Sequence, residues 1–357
     1  MIVTKLVLRN FRNYSWLELD FQKGLNFIVG DNAEGKTNIV EAIHFLSLAR
    51  SFRTNENAEL IMKTRQFATI EAKVEQLTTK KEITALMTSS GKKISCNNKP
   101  VRRISELSSL INVIVFEPKD SLMFVDSPIV RRNFLDINLS KKSPIYLESL
   151  MRYEKLLRER NILLKDENVD KVQLNVVTTQ LIDASYVIAK YRLAYINEIN
   201  RVLSKIVTSI KGEKEEAYLV YEPFVKVDDK FVERATRAYD KGLESDIKRK
   251  ITQIGIHRED IRMLLNGDDI STHGSQGENR IIVIALKLAP YFLIEDKEER
   301  PIIVLDDVMS ELDKEHQERL IGFLRKFEQV FITSVTTNVK NASVYEVKNH
   351  KVTRRNT

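Results

Sequence analysis

The sequence predicts an α/β fold, with parallel strands around a phosphate-binding loop and an inserted helical segment. Three observations carry this. Gly30-Asp31-Asn32-Ala33-Glu34-Gly35-Lys36-Thr37 fits the GxxxxGK[ST] pattern residue for residue. Pro301-Ile302-Ile303-Val304-Leu305 is a continuous β-branched run of the kind that parallel sheets bury, and it ends in Asp306-Asp307. Between the two, Leu147 through Tyr195 carry long helical spacing.

The loop has the right context. Leu25-Asn26-Phe27-Ile28-Val29 is a short apolar strand pattern, and Asn38 through Leu46 repeat apolar residues at helical spacing. A strand, a glycine turn and a helix start together aim backbone N–H groups and the positive end of the helix dipole at phosphate oxygens. Lys36 is then expected to reach the β and γ phosphates of ATP, and the Thr37 hydroxyl to ligate Mg²⁺. A glycine turn without a ligand is the bland reading. With only 11 glycines in 357 residues, two at this spacing before Lys-Thr argue against it.

A strand that ends in two aspartates is often only a solvated turn. Beside a phosphate loop it reads differently, because the carboxyl ends of open-sheet strands carry ligand chemistry. One acid, Asp306, is expected on the Mg²⁺ side opposite Thr37. Its neighbour, Asp307, is expected to orient or deprotonate the attacking water.

Ser275-Gln276-Gly277-Glu278 opens the apolar helix Asn279 through Ala289. Ser275, Gly277 and the first free N–H groups form a second anion site, most useful to a nucleotide held by a second chain. Serine followed three residues later by glutamate is also a capping box. The two readings are compatible, since both use the same donors.

The order phosphate loop, S-x-G-E, acid strand and Ser310-Glu311-Leu312-Asp313 resembles the ABC-type ATPase heads. Within them it resembles the SMC-like DNA repair group, most closely the RecF family. Leu6 through Tyr14, Leu46 through Thr54, Val115 through Asp120, and Ser127-Pro128 with Arg131 through Asp136 share in the resemblance. So do Gly255 through Asp260 and, most specifically, Leu305 through Asp313. It implies a head with a mixed sheet, plus an inserted α-helical lobe with a short coiled-coil-like arm. It also implies an ATP-dependent homodimer that binds duplex DNA at gaps or single/double-strand junctions, without sequence preference, in recombinational repair, replication and the SOS response. Mediator proteins of the RecO/RecR type and the recombinase are the implied partners. Asp307 stands where most such heads carry glutamate, so slow, DNA-dependent hydrolysis is expected. Ala33 stands where this group usually has glycine. After Val330 through Ser334 no histidine occupies the place where transporter heads keep one, leaving Thr333, Ser334 or Thr336 to substitute.

Composition sets the remaining bounds. The single cysteine, Cys96, excludes an internal disulfide and fits a reducing cytoplasm. The five histidines show no zinc spacing. No apolar run approaches the ~18 residues of a membrane span, and no signal-peptide core is visible. A net charge of +7 suits an anionic partner. Paired cations such as Lys80-Lys81, Arg102-Arg103, Arg131-Arg132 and Lys248-Arg249-Lys250 are candidate phosphate-backbone contacts, or simply a solvated surface.

Residues 1–120 and 259–357 read as the head, and 121–258 as the helical lobe. In the lobe Leu174, Val177, Leu181, Ala184, Ile188, Tyr191 and Tyr195 form a heptad seam. The helix from Leu147 to Leu164 precedes it, across the polar turn Lys165 to Asn168. Two readings compete with the clamp: the soluble ATPase subunit of a membrane transporter, and a phosphate-loop kinase, in which S-x-G-E has no role.

Overall fold

The computed structural model describes residues 1–76, 78–102 and 106–355. Arg103 of the pair Arg102-Arg103 and the last two residues of the expected head range lie outside them. The chain runs β1 (Ile2–Phe11), β2 (Tyr14–Asp20), β3 (Gly24–Val29), α1 (Lys36–Leu48), β4 (Phe67–Glu75), β5 (Lys80–Thr88), β6 (Gly91–Cys96) and β7 (Lys99–Pro100). It continues α2 (Leu107–Leu110), β8 (Val113–Phe116), α3 (Pro128–Lys142), α4 (Pro144–Leu163), α5 (Lys171–Lys211), β9 (Ala217–Glu222) and α6 (Phe231–Arg249). Then come β10 (Asp260–Leu265), β11 (Asp268–Asp269), α7 (Ile270–His273), α8 (Gln276–Phe292), β12 (Ile302–Leu305), α9 (Lys314–Leu324), β13 (Gln329–Ser334), β14 (Ser343–Lys348) and β15 (Lys351–Arg355).

The chain divides into two compact units. The first joins Met1–Ser121, Ile206–Lys214 and Arg280–Thr357, and the second joins Leu122–Lys205 and Glu215–Asn279. Residues 259–279, expected with the head, fall in the second unit. There β10 pairs antiparallel with β9, and Asp260 forms a two-pronged ion pair with Arg131.

The first unit holds an antiparallel sheet, β2-β1-β4-β5-β6-β7, and a mixed sheet, β15-β14-β3-β13-β12-β8. In the mixed sheet β14, β3, β13, β12 and β8 are parallel, and only β15 is antiparallel. β12 is buried along its whole length, as its unbroken apolar sequence requires of a central parallel strand. α1 is buried on nearly every side, Glu41, His44 and Ser47 included, so it is enclosed in the core. Ile39, Val40, Ile43 and Phe45 share one apolar cluster with Leu6 and Ile70 of the antiparallel sheet and Val304 and Phe331 of the mixed sheet.

The second unit is built on helices and the small sheet β11-β10-β9. α3 and α4 each start on proline behind a serine cap: Ser127 accepts from the Ile129 N–H and Ser143 from the Tyr146 N–H. The heptad seam lies on α5, with Leu174, Val177, Leu181, Ala184, Ile188 and Tyr195 buried. α6 joins the pair α4–α5 through a buried group. The Arg160 guanidinium, 1% exposed, donates to Asp246 at 2.7 Å, to Thr178 at 2.9 Å and to Thr252 at 2.7 Å.

Candidate nucleotide-binding site

In the mixed sheet β13 stands between β3 and β12. The carboxyl ends of these three neighbours therefore bring together the phosphate loop, Thr333 and Asp306-Asp307. The Thr37 hydroxyl donates to Asp306 Oδ1 at 2.9 Å, and the Thr333 hydroxyl donates to the same oxygen at 2.7 Å. The Asp307 N–H in turn donates to Thr333 Oγ1 at 2.9 Å. Asp306 is 5% exposed, and burial raises its pKa against the lowering effect of the two hydroxyls. Asp307 sits in left-handed backbone, φ 50°, which aspartate tolerates better than most residues. Of the three hydroxyls expected to replace a histidine, Thr333 is committed to the two acids and Ser334 donates to the Thr336 carbonyl at 2.8 Å. Thr336 is exposed.

The loop depends on its two glycines. Gly30 has φ 153°, and a Cβ there would lie 2.3 Å from the Val347 carbonyl oxygen. Gly35 has φ 107°, and its Cβ would lie 2.6 Å from Asn13 Nδ2 and 2.8 Å from the Tyr14 hydroxyl. No side chain with a Cβ fits either position. Ala33 holds φ 68°, the left-handed region that explains the usual glycine. Lys36 Nζ donates to the Gly30 and Asp31 carbonyls at 2.7 and 2.8 Å, so the ammonium lies within the turn of its own loop. Burial lowers its pKa, while Asp307, Asp306 and Asp31 pull the other way. α1 starts on Gly35, which brings no side-chain acceptor, so the first N–H groups of the helix keep their donor capacity for an anion.

Sequence reasoning missed the loop's supports. Asn13, in the turn between β1 and β2, lies 2.6 Å from His350 Nδ1 and accepts from Asn38 Nδ2 at 2.7 Å. His350, between β14 and β15, also reaches the Glu34 carbonyl at 3.0 Å, and the Tyr14 hydroxyl donates to the Gly35 carbonyl at 3.2 Å. Behind the loop, buried Glu41 of α1 accepts from Arg12 at 2.6 and 2.9 Å and from Ser51 at 2.5 Å. Arg53 donates to Asn38 at 2.9 Å. The runs Leu6 to Tyr14 and Leu46 to Thr54 are thus the brace of α1 and its loop. The signal for them was the resemblance alone.

Ser275 to Glu278 lie in the second unit, at the start of α8. The capping box is formed: Glu278 N–H donates to Ser275 Oγ at 3.2 Å, and Ser275 N–H donates to Glu278 Oε2 at 3.1 Å. A Cβ on Gly277 would meet nothing within 4 Å. Next along the helix, in the first unit, buried Arg280 pairs with Glu311 of the run after β12. That run ends on Asp313, which caps α9 by accepting from the His316 N–H at 2.9 Å.

A phosphate loop and an acid strand at the carboxyl ends of neighbouring parallel strands, with a braced helix behind, define a phosphate-loop fold of the ABC-head type. A family model described as RecF/RecN/SMC N terminal domain matches residues 2–356, and the chain belongs to that family. A protein of Halalkalibacterium halodurans named DNA replication and repair protein RecF is 37% identical over 366 residues, covering 98% of each chain. A solved structure titled as the recombination mediator protein RecF-ATPrS in the RecFOR pathway superposes with a TM-score of 0.89 at 30% identity, over 99% of this chain and 98% of that one. The Pyrococcus furiosus Smc head domain, TM-score 0.57 at 17% identity over 99% of this chain and 96% of its own, shares the fold.

Proposed function

We propose that this chain is an ATP-dependent DNA-binding protein of recombinational repair and replication, working in the cytoplasm as an ATP-driven dimer clamp. It holds duplex DNA at single-strand gaps and assists recombinase loading together with mediators of the RecO/RecR type. Full-length similarity to proteins named for DNA replication and repair supports this reading. The transporter alternative draws no support from those relatives.

The observation that carries the clamp is Gly277. Gly277 stands in the first turn of α8, and a Cβ there would meet nothing among the described residues, so no contact within them asks for glycine. Close approach of a group from outside the chain supplies the reason, and beside the donors of Ser275 that group is the γ-phosphate of a nucleotide held by a second copy. Gln276 and Glu278 complete the same turn.

In the chain's own site, Gly30, Asp31, Asn32, Ala33, Glu34 and Gly35 present backbone N–H groups to the phosphates, and Lys36 supplies the charge. Mg²⁺ fits the donors present. Thr37 and Asp306 offer hard oxygens already hydrogen-bonded to one another, and among the described residues no three His, Cys, Asp or Glu cluster as a self-sufficient metal site. An ion that prefers one carboxylate, phosphate oxygens and water suits such a site. When bound, it neutralises charge on the β and γ phosphates. Asp307 then acts as the base toward water, held in place by the hydrogen bond from its N–H to Thr333.

Complementation between two dead chains tests this. Lys36→Ala is expected to lose fluorescent-ATP binding while remaining folded. Ser275→Arg is expected to bind ATP as a monomer yet fail to dimerise or hydrolyse. In a head-to-head dimer their mixture carries one composite site with both lesions and one with neither, so partial ATPase activity returns. Absence of recovery, with heterodimers confirmed, reduces Ser275 to a cap and overturns the shared site.

A further inference from the structure

We propose that the amino end of the mixed sheet carries a second anion site, which takes a phosphate monoester. A recess of about 450 Å³ opens there. Lys23, Arg354 and Arg355 line it together with Asn341 and Ser343, over a floor of Leu25 and Ala342. Strand register explains how segments more than three hundred residues apart meet there. β14 pairs with β3 at Ser343↔Asn26, and β15 returns along β14 at Val344↔Arg355 and Tyr345↔Arg354. The phosphate loop leaves the other end of β3. At roughly 3.3 Å per residue, that six-residue strand separates the two sites by about 20 Å.

The charge in the recess is unbalanced. Arg355 pairs with Glu346 at 3.2 Å, whereas Lys23 and Arg354 hold no ion pair among the described residues. Three cations against one carboxylate leave an excess of about two positive charges, the complement of a phosphate monoester near neutral pH. A phosphodiester carries one charge and would balance only half of it. Guanidinium groups match phosphate oxygens in pairs. The volume exceeds what phosphate alone needs and lies in the range of small-ligand sites. The buried apolar floor of Leu25 and Ala342 accepts the sugar that carries the phosphate. The phosphorylated end of a nucleic-acid strand, a mononucleotide and inorganic phosphate share this chemistry.

Acetylation of Lys23 by acetic anhydride, read by mass spectrometry, tests the site directly. The full chain carrying Lys36→Ala is used without Mg²⁺, so that the phosphate loop does not compete. A 5′-phosphorylated oligothymidylate is expected to protect Lys23, inorganic phosphate to protect it as well, and the same strand without its phosphate to leave it reactive. Arg354→Glu, at an exposed position, should raise the half-protecting concentration by about tenfold or more, as loss of a charge-assisted hydrogen bond requires. Protection by the phosphorylated strand at far lower concentration than by phosphate assigns the site to strand ends. Equal concentrations assign it to the free anion. No protection by either ligand overturns the site, and so does protection that persists in Arg354→Glu. Equal protection by the dephosphorylated strand overturns the monoester assignment. None of these outcomes depends on whether the chain forms a clamp.

Discussion

The two units bury charge in opposite ways. In the first unit buried Lys36, Glu41, Asp120 and Asp306 follow the carboxyl ends of parallel strands, and buried Arg280 of α8 pairs with Glu311 of the run after β12. In the second unit charge lies inside the architecture itself. Arg192, 2% exposed, donates to Glu259 at 3.0 Å, to Asp136 at 2.9 Å and to the Ile256 carbonyl at 2.9 Å, while Tyr221 donates to the same Glu259 at 2.5 Å. Arg131 holds Asp260, and Arg160 holds Asp246. Buried charge in the one unit gathers mainly at the phosphate loop and the acid strand, the site proposed above, and in the other it joins helices and the small sheet to one another. A fully buried pair is weak evidence for net stability, because desolvation offsets attraction, yet breaking it is costly.

The largest effect is therefore expected from removing one partner. Arg192→Met should destabilise the second unit by about 3–5 kcal/mol, since Glu259 is left buried without its counter-charge. Urea unfolding followed by far-UV circular dichroism measures this, and adding Glu259→Gln should restore part of the loss. A loss below about 1 kcal/mol, the scale of surface pairs, would break the comparison.

A second prediction uses pH. His257 accepts from the Tyr153 hydroxyl at 2.6 Å and donates through Nε2 to the Thr252 carbonyl at 3.2 Å, an arrangement made for neutral imidazole. Burial, with Arg258 and Arg132 nearby, lowers its pKa from 6.5 to about 4. Between those values the unfolded chain takes up a proton that the folded chain refuses. Stability accordingly falls as pH drops from about 6.5 toward 4, by about 3 kcal/mol at the acid end. Glu259, whose pKa burial raises, works in the opposite sense. His257→Gln keeps Glu259 and removes the imidazole, so the difference between the two stability–pH curves isolates the histidine. Parallel curves would refute the assignment.

The smallest effect belongs to the first unit. Ala33→Gly should relieve left-handed strain in the loop and raise stability by about 0.5–1 kcal/mol. Differential scanning calorimetry with and without ATP would show whether the strain is retained when the loop is used. No change in melting temperature would mean that the loop already relaxes around Ala33.

Legibility from sequence follows the same division. The phosphate loop, the acid strand and the seam on α5 are written in neighbouring residues, and local patterns sufficed for them. Thr333 could be named only as one of three hydroxyls, because its position depends on β13 lying between β3 and β12, an order the chain does not follow. Asn13 and His350 are 337 residues apart, and neither side chain forms a motif by itself. The runs Arg131 to Asp136 and Gly255 to Asp260 were visible as family features with no role attached. Arg131-Arg132 read as phosphate-backbone contacts or a solvated surface, whereas Arg131 is buried against Asp260 and Arg132 donates to the Glu259 carbonyl. At Ser275 the difficulty was different, since a helix cap and a phosphate contact require the same serine.

Both hydroxyls that hold Asp306 fall on a single oxygen, Oδ1. The carboxylate is thereby divided into a half held by two hydroxyls and a half that neither of them touches. An amide placed there would satisfy Thr37 and Thr333 with its carbonyl and put its NH₂ in place of the other oxygen. Shape, packing and hydrogen-bond count would all survive, while the atom that the proposed function assigns to a cation changed from an acceptor to a donor. The head could then be ruined as an engine while remaining intact as an object, and a screen for folded protein would pass it.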